Sequence, residues 1–340
     1  MGTLETTEAA PALPLEGTGT ARRVLVVTNM YPVPDRPALG IFVQEQVESL
    51  RAQGLEVDVL FVDGPANKLN YLWGIFRFRR QIARRRYDLV HAHYVFSGII
   101  ALAQRGLPVV TTFHSGEVLE GSFQRTLSRL VSARADLNVA VSLEVMQRLR
   151  GRSCVIPCGV DLERFRPVDV GEARSRLNLP ADRKLVLFAA AMRPEKRFDL
   201  VQEAFALVQR QLPEVQLVVV SNQPPELVPL YMNACDVLVL ASRKEGSPQV
   251  VKEAMACNLP VVSTDVGDVR EVIAGIEGCY ICTADPQDIA DKLAAALAFG
   301  RRTDGRKRVE DLSMGRVAER IVEAYGQVLA HRRVSARRAN

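Results

Sequence analysis

Two glutamates that lie eight positions apart are the residues of this sequence best placed to do chemistry together. Glu245 and Glu253 close the stretch EGSPQVVKE over residues 245–253. We expect Ser247 to cap a helix that begins at Pro248, because serine is a favoured N-cap and proline fits the first helical position. The two carboxylates then lie about 10 Å apart. This is too far for the carboxylate pair of most glycosidases and close to the span of a sugar-diphosphate-ribose. The alternative is a capped amphipathic helix with one solvent-facing acid.

Basic residues follow the first predicted strand of the second half of the chain. Arg193 and Lys196 come after strand 184–190 and before helix 198–211. Fixed cations beside a helix N-terminus suit a diphosphate, because free backbone N–H groups and the helix dipole add to their charge. Taken alone, these residues also fit a solvated turn. The Gly246–Ser247 amides at a neighbouring strand end offer a second anion cradle.

Three of the four histidines lie within 24 positions, at the ends of predicted strands. They are His91 and His93 in VHAHY and His114 in TTFHSGE. Ligand sites of open α/β sheets are built at such strand ends. We expect His91 to be a structural histidine with satisfied hydrogen bonds, and His114, on a turn, to be the better site candidate. No Ser or Cys stands in a nucleophile elbow, which argues against a hydrolase triad.

Short apolar strands alternate with amphipathic helices twice along the chain. We predict strands at 24–28, 57–62, 88–93, 109–113 and 137–141, and then at 184–190, 215–221, 236–240, 259–264 and 279–282. Gly54 is the predicted C′ residue of the first helix. The alternation indicates an α/β fold with two doubly wound parallel sheets, whose strand ends could face one cleft.

The same patterns divide the chain of 340 residues, which is long enough for two domains with separate cores. We expect a disordered lead-in at 1–20, a Rossmann-like domain at 21–156, a linker at 157–167, a second Rossmann-like domain at 168–312 and a closing helix at 313–331. The polar start is not expected to be a signal peptide. No apolar run reaches about 20 residues, so no transmembrane helix is predicted.

Several motifs that would indicate other chemistry are absent from the sequence. It contains neither G-x-G-x-x-G after the first strand nor a P-loop, which leaves a nicotinamide or ATP site with little support. Asp-x-Asp, a common way to hold a metal–diphosphate complex, does not occur. The six cysteines fall mainly in apolar segments and are expected to be reduced thiols. The net charge of +5 suggests an anionic partner.

A set of fragments resembles a known family in its order along the chain. They are VTNMYPVPDRPALGIFVQEQVESL, VHAHYVFSG, TFHSGE, VIPCGVDLERFRP, RPEK and EGSPQVVKEAMACNLPVVSTDVGDVREVI. Together they are similar to retaining nucleotide-sugar glycosyltransferases of the GT-B fold, in the family 4-like group that includes bacterial polysaccharide and teichuronic-acid biosynthesis enzymes. The resemblance covers about residues 22–330. It implies a hexosyltransferase that needs no metal and no cofactor.

The resemblance also implies roles for the two glutamates and the residues between them. Glu245, with the backbone of Gly246, Ser247 and Pro248, would hold the hydroxyls of the donor sugar. Glu253 would hold the ribose hydroxyls. The acceptor hydroxyl would attack on the face from which the diphosphate leaves, and the phosphate would assist its deprotonation.

The remaining assignments concern the diphosphate and the first domain. Lys196 would neutralise the diphosphate, His114 would line the cleft beside the transferred sugar, and Gly40 would let its loop approach the phosphates. The family usually has a phosphate-binding arginine where this chain has Ala191. Either Arg193 substitutes from a shifted position, or half of the phosphate clamp is missing.

The donor base and the acceptor are less defined by the sequence. Only 13 residues, 222–234, stand where relatives often carry a further strand–helix unit that grips the base. A UDP-sugar is our expectation from family frequency, with a saccharide, lipid-linked saccharide or small molecule as acceptor. The alternatives are an epimerase or a transferase to a non-alcohol nucleophile on the same fold. A non-catalytic or nucleic-acid-binding protein is the alternative of another class, although no nucleic-acid recognition motif is present.

Residues 73–87, WGIFRFRRQIARRRY, carry six arginines among apolar residues. In a helix, Ile75, Phe78 and Ile82 would share one face. Such a helix could lie on an anionic membrane surface, or it could cover the sheet of the first domain with its arginines in water. We expect a cytoplasmic protein, and peripheral contact with the inner face of the membrane is the open alternative.

Overall fold

The computed structural model describes residues 21–36, 39–119 and 121–339, so the predicted lead-in at 1–20 lies outside the described residues. The first sheet is parallel, in the order β2-β1-β3-β4-β5-β6. Its strands are β1 Arg23–Thr28, β2 Glu56–Phe61, β3 Leu89–His93, β4 Val109–Phe113, β5 Leu137–Ala140 and β6 Ser153–Val155. The helices of this half are α1 Ile41–Ala52, α2 Asn70–Arg84, α3 Val95–Ala101, α4 Gly116–Leu119, α5 Ser122–Ser132 and α6 Leu143–Met146.

The second sheet is also parallel, in the order β11-β10-β9-β7-β8. Its strands are β7 Leu185–Ala189, β8 Gln216–Val220, β9 Val237–Leu240, β10 Val261–Thr264 and β11 Tyr280–Cys282. The helices are α7 Val170–Arg176, α8 Phe198–Gln211, α9 Val228–Ala234, α10 Gln249–Ala256, α11 Val269–Ile273, α12 Pro286–Phe299, α13 Gly305–Arg308 and α14 Met314–Ala339. Every predicted strand is present, which confirms the α/β class with two doubly wound sheets.

Two local predictions have opposite outcomes. Gly54 is in the left-handed conformation (φ 85°) after α1, and its N–H donates to the carbonyl of Arg51 at 2.9 Å, so the predicted C′ glycine is confirmed. The predicted start of α10 is wrong by one residue: Pro248 is the N-cap and the helix begins at Gln249. The Ser247 hydroxyl caps no helix because it bonds other segments of the chain, described below.

The helix α14 packs against the first sheet although it follows the second domain in sequence. Val317, Ile321 and Tyr325 are buried in the same apolar cluster as Val24 of β1. The chain re-enters the first domain beside the linker, because Met314 N–H donates to a linker carbonyl at 3.1 Å. The chain therefore passes between the two domains twice, once at the linker and once just before α14.

The arginine-rich helix is α2, and its apolar stripe covers the first sheet. Phe78 is fully buried, and Ile75 and Ile82 pack against the same cluster. Trp73 and Phe76 lie outside that stripe and are 65% and 56% exposed. No helix within the described ranges is both long enough and apolar enough to span a bilayer. All six cysteines are free thiols, as predicted.

Candidate active site

A cleft of about 470 Å³ lies where the carboxyl ends of the two sheets face each other. The structure brings seven of the predicted site residues together in its lining: His114, Arg193, Lys196, Glu245, Gly246, Ser247 and Pro248. A larger depression, of about 560 Å³, lies between α2 and the edge strand β2. We place the candidate active site in the smaller cleft, because ligands of open α/β sheets bind beyond the carboxyl ends of the strands.

An ion pair forms the charged centre of the cleft. Nζ of Lys196 lies 2.5 Å from Oε1 of Glu245, and the two side chains are 21% and 15% exposed. Lys196 follows β7 and Glu245 follows β9, and these strands are neighbours in the second sheet. An ammonium group has three donors, so a pairing with one carboxylate leaves Lys196 able to bind an anion. A ligand that combines hydroxyls with phosphate would match both members of the pair.

Arg193 stands at the rim of the same wall. Its side chain is 66% exposed, and its guanidinium lies 3.9 Å from the carboxylate of Glu195. Ala191, at the position where the family usually carries arginine, also lines the cleft. The methyl group of Ala191 cannot donate a hydrogen bond to an anion. Arg193 is the arginine of this segment that lines the cleft.

Gly246 lets the loop 245–248 approach the first domain. A Cβ at this position would lie 2.7 Å from Cγ2 of Val141 and 3.1 Å from the backbone nitrogen of Ser115. Real Cβ atoms essentially never show the first of these contacts, and the second is tighter than most. The backbone of this loop therefore forms part of the cleft between the domains.

Glu253 is half-buried on the second turn of α10, outside the residues that line the cleft. Its carboxylate has no hydrogen bond or ion pair with any part of the chain that the structure describes. The pKa of Glu253 is raised to about 7, first by burial and then by the nearby Glu45 of α1, while Arg164 acts in the opposite direction. An unpaired carboxyl group at the domain boundary is able to accept hydrogen bonds from a ligand.

The three histidines form a row that runs from His114 in the cleft lining through His93 to His91, and His91 is its structural member. Its Nδ1 lies 2.6 Å from the Tyr325 hydroxyl and its Nε2 lies 2.7 Å from Oγ1 of Thr112. The predicted satisfied histidine is therefore confirmed. Nδ1 of His93 lies 3.4 Å from Nε2 of His114. Burial lowers the pKa of both His91 and His114 to about 3, so the row is uncharged at neutral pH.

Two residues beside His114 were missed by the sequence reasoning. The Tyr94 ring stacks on His114 with centroids 4.4 Å apart, and its φ of 70° is rare for a residue with a side chain. Glu117 is buried and accepts a hydrogen bond from the His114 backbone N–H at 2.7 Å. Burial raises the pKa of the Glu117 carboxyl to about 7. The sequence does hold a signal for each: Tyr94 directly follows His-Ala-His, and Glu117 lies within HSGE.

Gly40 has a structural explanation that does not involve the cleft. Its φ is 64°, and a Cβ would lie 2.4 Å from the carbonyl carbon of Met30. Gly40 is not among the residues that line the cleft, so its contact with phosphate stays a prediction. In the described part of the chain, no three His, Cys, Asp or Glu side chains come together in a way that could hold a metal ion.

Family models match both halves of the chain. Residues 23–164 match the model described as Glycosyltransferase Family 4, and residues 225–298 match Glycosyl transferases group 1. A D-inositol 3-phosphate glycosyltransferase from Streptomyces avermitilis is 30% identical over 312 residues, which covers 73% of this chain and 67% of that protein. A putative teichuronic acid biosynthesis glycosyltransferase from Bacillus subtilis is 28% identical over 342 residues, 80% of this chain and 88% of that protein.

Solved structures show the same fold. A sucrose-phosphate synthase from Thermosynechococcus elongatus superposes with a TM-score of 0.78 at 21% identity, over 91% of this chain and all of that one. An Anabaena protein solved in complex with UDP-glucose gives a TM-score of 0.62 at 16% identity, over 92% and 99% of the two chains. The fold and the cleft thus define a GT-B glycosyltransferase. Within that class, the chain belongs to the family 4 and group 1 glycosyltransferases.

Proposed function

We propose that this glycosyltransferase moves a sugar from a UDP-sugar to an acceptor hydroxyl with retention of anomeric configuration and without a bound metal or cofactor. The observation that carries the proposal is the ion pair of Lys196 and Glu245 in the cleft. In this proposal Glu245 accepts hydrogen bonds from the sugar hydroxyls, and Lys196, directly beside it, binds the diphosphate. The other candidate residues surround this pair.

The second domain would hold the donor. Glu245 accepts hydrogen bonds from the sugar hydroxyls, and the backbone N–H groups of the loop 245–248, which we call the donor loop, donate to them. Lys196 with Arg193 compensates the diphosphate charge. That charge grows as the bond from the sugar C1 to the phosphate oxygen breaks, so these cations act most strongly in the transition state. Glu253 would accept hydrogen bonds from the ribose.

The first domain would present the acceptor. The acceptor oxygen forms the new bond to C1 on the face that the diphosphate leaves, and its proton passes to the leaving phosphate oxygen. His114, neutral because burial lowers its pKa to about 3, would contact the transferred sugar as an uncharged polar group. Tyr94 and Phe42 stack and pack around its ring, which excludes water from that side.

The choice of UDP is supported by the UDP-glucose named for the Anabaena structure. The names of the relatives support a saccharide or small-molecule acceptor, and a lipid-linked saccharide fits the same chemistry. A panel of UDP-, GDP- and ADP-sugars tests the donor by nucleotide release, and NMR of the product tests retention. An inverted anomeric centre would contradict the retaining mechanism.

A cytoplasmic location with peripheral contact to an anionic membrane belongs to the same proposal. The exposed Trp73 and Phe76 lie on α2, whose arginines line the depression beside β2. Cosedimentation with anionic vesicles, lost at high salt and on replacing Arg79, Arg80 and Arg84 by Gln, is the expected result. Absence of binding at low salt would favour a small-molecule acceptor.

A further inference from the structure

A fully buried lysine lies behind the donor loop, outside the cleft lining. The Lys252 side chain on α10 has 0% exposure, and its Nζ lies 2.8 Å from Oδ2 of Asp268. The same nitrogen donates to the Cys158 carbonyl at 3.1 Å and contacts the Ser247 hydroxyl. A buried charge is costly unless it is paired and hydrogen-bonded. The partners of the Lys252 ammonium group come from three separate segments of the chain.

Those segments are the donor loop, the linker between the domains and the loop before α11. The Ser247 hydroxyl donates to Oδ2 of Asp268 at 2.8 Å and accepts from the Cys158 N–H at 3.1 Å. With Lys252 as its second donor, the hydroxyl uses its one hydrogen and both lone pairs. Ser247 is therefore fully occupied on the side away from the cleft, and only its backbone remains for a ligand.

The backbone of the loop before α11 also packs directly on the donor loop. Gly267 has a φ of 61°, and a Cβ there would lie 2.6 Å from the Gly246 carbonyl oxygen. On its other side, Gly246 contacts Val141 of the first domain. The donor loop therefore packs between the loop that carries Asp268 and the first-domain wall of the cleft. For this reason a shift of Asp268 would move the donor loop.

We propose that Lys252 and Asp268 are positioning residues for transfer: their ion pair fixes the donor loop to the linker at Cys158, so that Glu245 and Gly246 face the donor at a defined angle between the domains. Neither residue lines the cleft. The stability of the fold does not by itself require this ion pair, because well-packed apolar residues commonly replace a buried ion pair without loss of stability. The inference rests on the proposed donor role of Glu245, and its first test is independent of any ligand.

The first test is amide hydrogen exchange in the ligand-free protein carrying Lys252→Met and Asp268→Leu together. We expect the melting temperature to stay near that of the wild type, while amides in 245–249 and 157–159 exchange at least roughly tenfold faster. The matched control removes the ion pair of the buried Arg174 and the half-buried Asp236, 2.9 Å apart at the other end of the second domain, and should leave these amides unchanged. Ser247→Ala, a milder change, should accelerate the same amides if the double variant does not fold.

The second test measures the affinity for UDP and UDP-glucose in the double variant and in Glu245→Ala. We expect the double variant to bind UDP-glucose at least roughly tenfold more weakly even where its melting temperature is preserved, because the loop must be ordered on binding. Unchanged exchange in 245–249, or wild-type affinity in the double variant beside a weakened Glu245→Ala, would overturn the positioning role. Wild-type affinity in Glu245→Ala would instead count against the proposed function, and the exchange data would then decide the positioning role alone.

Discussion

The two walls of the cleft are built from the same strand-end geometry but carry opposite kinds of side chain. The second-domain wall presents Lys196 paired with Glu245, both partly exposed. The first-domain wall presents His114 stacked on Tyr94, and burial lowers the pKa of His114 to about 3. The difference fits the proposed function, in which the charged wall of the second domain binds the donor and the uncharged wall of the first domain surrounds the transferred sugar.

The largest expected effect is that of removing either charged side chain from the charged wall. Lys196→Ala and Glu245→Ala should each lower the transfer rate at least roughly tenfold, because contacts to the diphosphate and the sugar strengthen in the transition state. The melting temperatures should remain near the wild-type value. Glu214→Ala, which removes an exposed ion pair with Arg183, is the control and should leave the rate unchanged. A wild-type rate for Glu245→Ala at saturating donor would refute its assignment.

Donor binding should depend on pH through Glu253. Since the pKa of this carboxyl is raised to about 7 and an ionised carboxylate is the stronger acceptor, affinity should fall up to about tenfold from about pH 8 to about pH 6. Titration calorimetry on Glu253→Gln should show weaker binding with a flatter pH profile. A profile as steep as that of the wild type would assign the titration to another group.

The uncharged wall should make the fold acid-sensitive. The pKa of His114 is lowered to about 3 in the folded protein, so the unfolded chain binds more protons between pH 3 and about 6.5. Stability is therefore lost as pH falls through this window, by up to about 1.4 kcal/mol per pH unit for each such histidine. Denaturant unfolding of His114→Phe between about pH 7 and pH 5 should show a smaller slope than the wild type. An equal slope would mean that folding does not lower the pKa of His114.

The smallest expected effect is that of chelation. Lys196, Arg193 and backbone amides can supply the neutralising charge that a metal supplies elsewhere, so transfer should persist in excess EDTA. The assay is turnover before and after chelation, followed by added magnesium or manganese. Loss of turnover that either metal restores would show that the charged wall is incomplete without a cation.

The sequence was most informative where one segment determines its own structure. Apolar runs in the sequence predicted the strands other than β6. Lys196 and Glu245 were identified as site candidates because they follow the ends of β7 and β9. The short edge strand β6 was not predicted, because its three residues are half-buried and show no apolar pattern.

Features that depend on distant segments were beyond local patterns. Ser247 has an N-cap sequence, but tertiary hydrogen bonds to Asp268 and Cys158 occupy its hydroxyl. Burial raises the pKa of Glu117, and burial depends on the whole fold. No local sequence pattern marks the positive φ of Tyr94. The partners of Lys252 could not be read from the sequence for the same reason.

The return of α14 to the first sheet sets an order for vectorial synthesis. The first domain lacks Val317, Ile321 and Tyr325 from its core until the last helix has left the ribosome, whereas the second domain is complete in one uninterrupted segment. The first domain therefore cannot finish folding before α14 is synthesised, whereas the second domain can. Deleting α14 should accordingly damage the first domain, although the deleted residues follow the second domain.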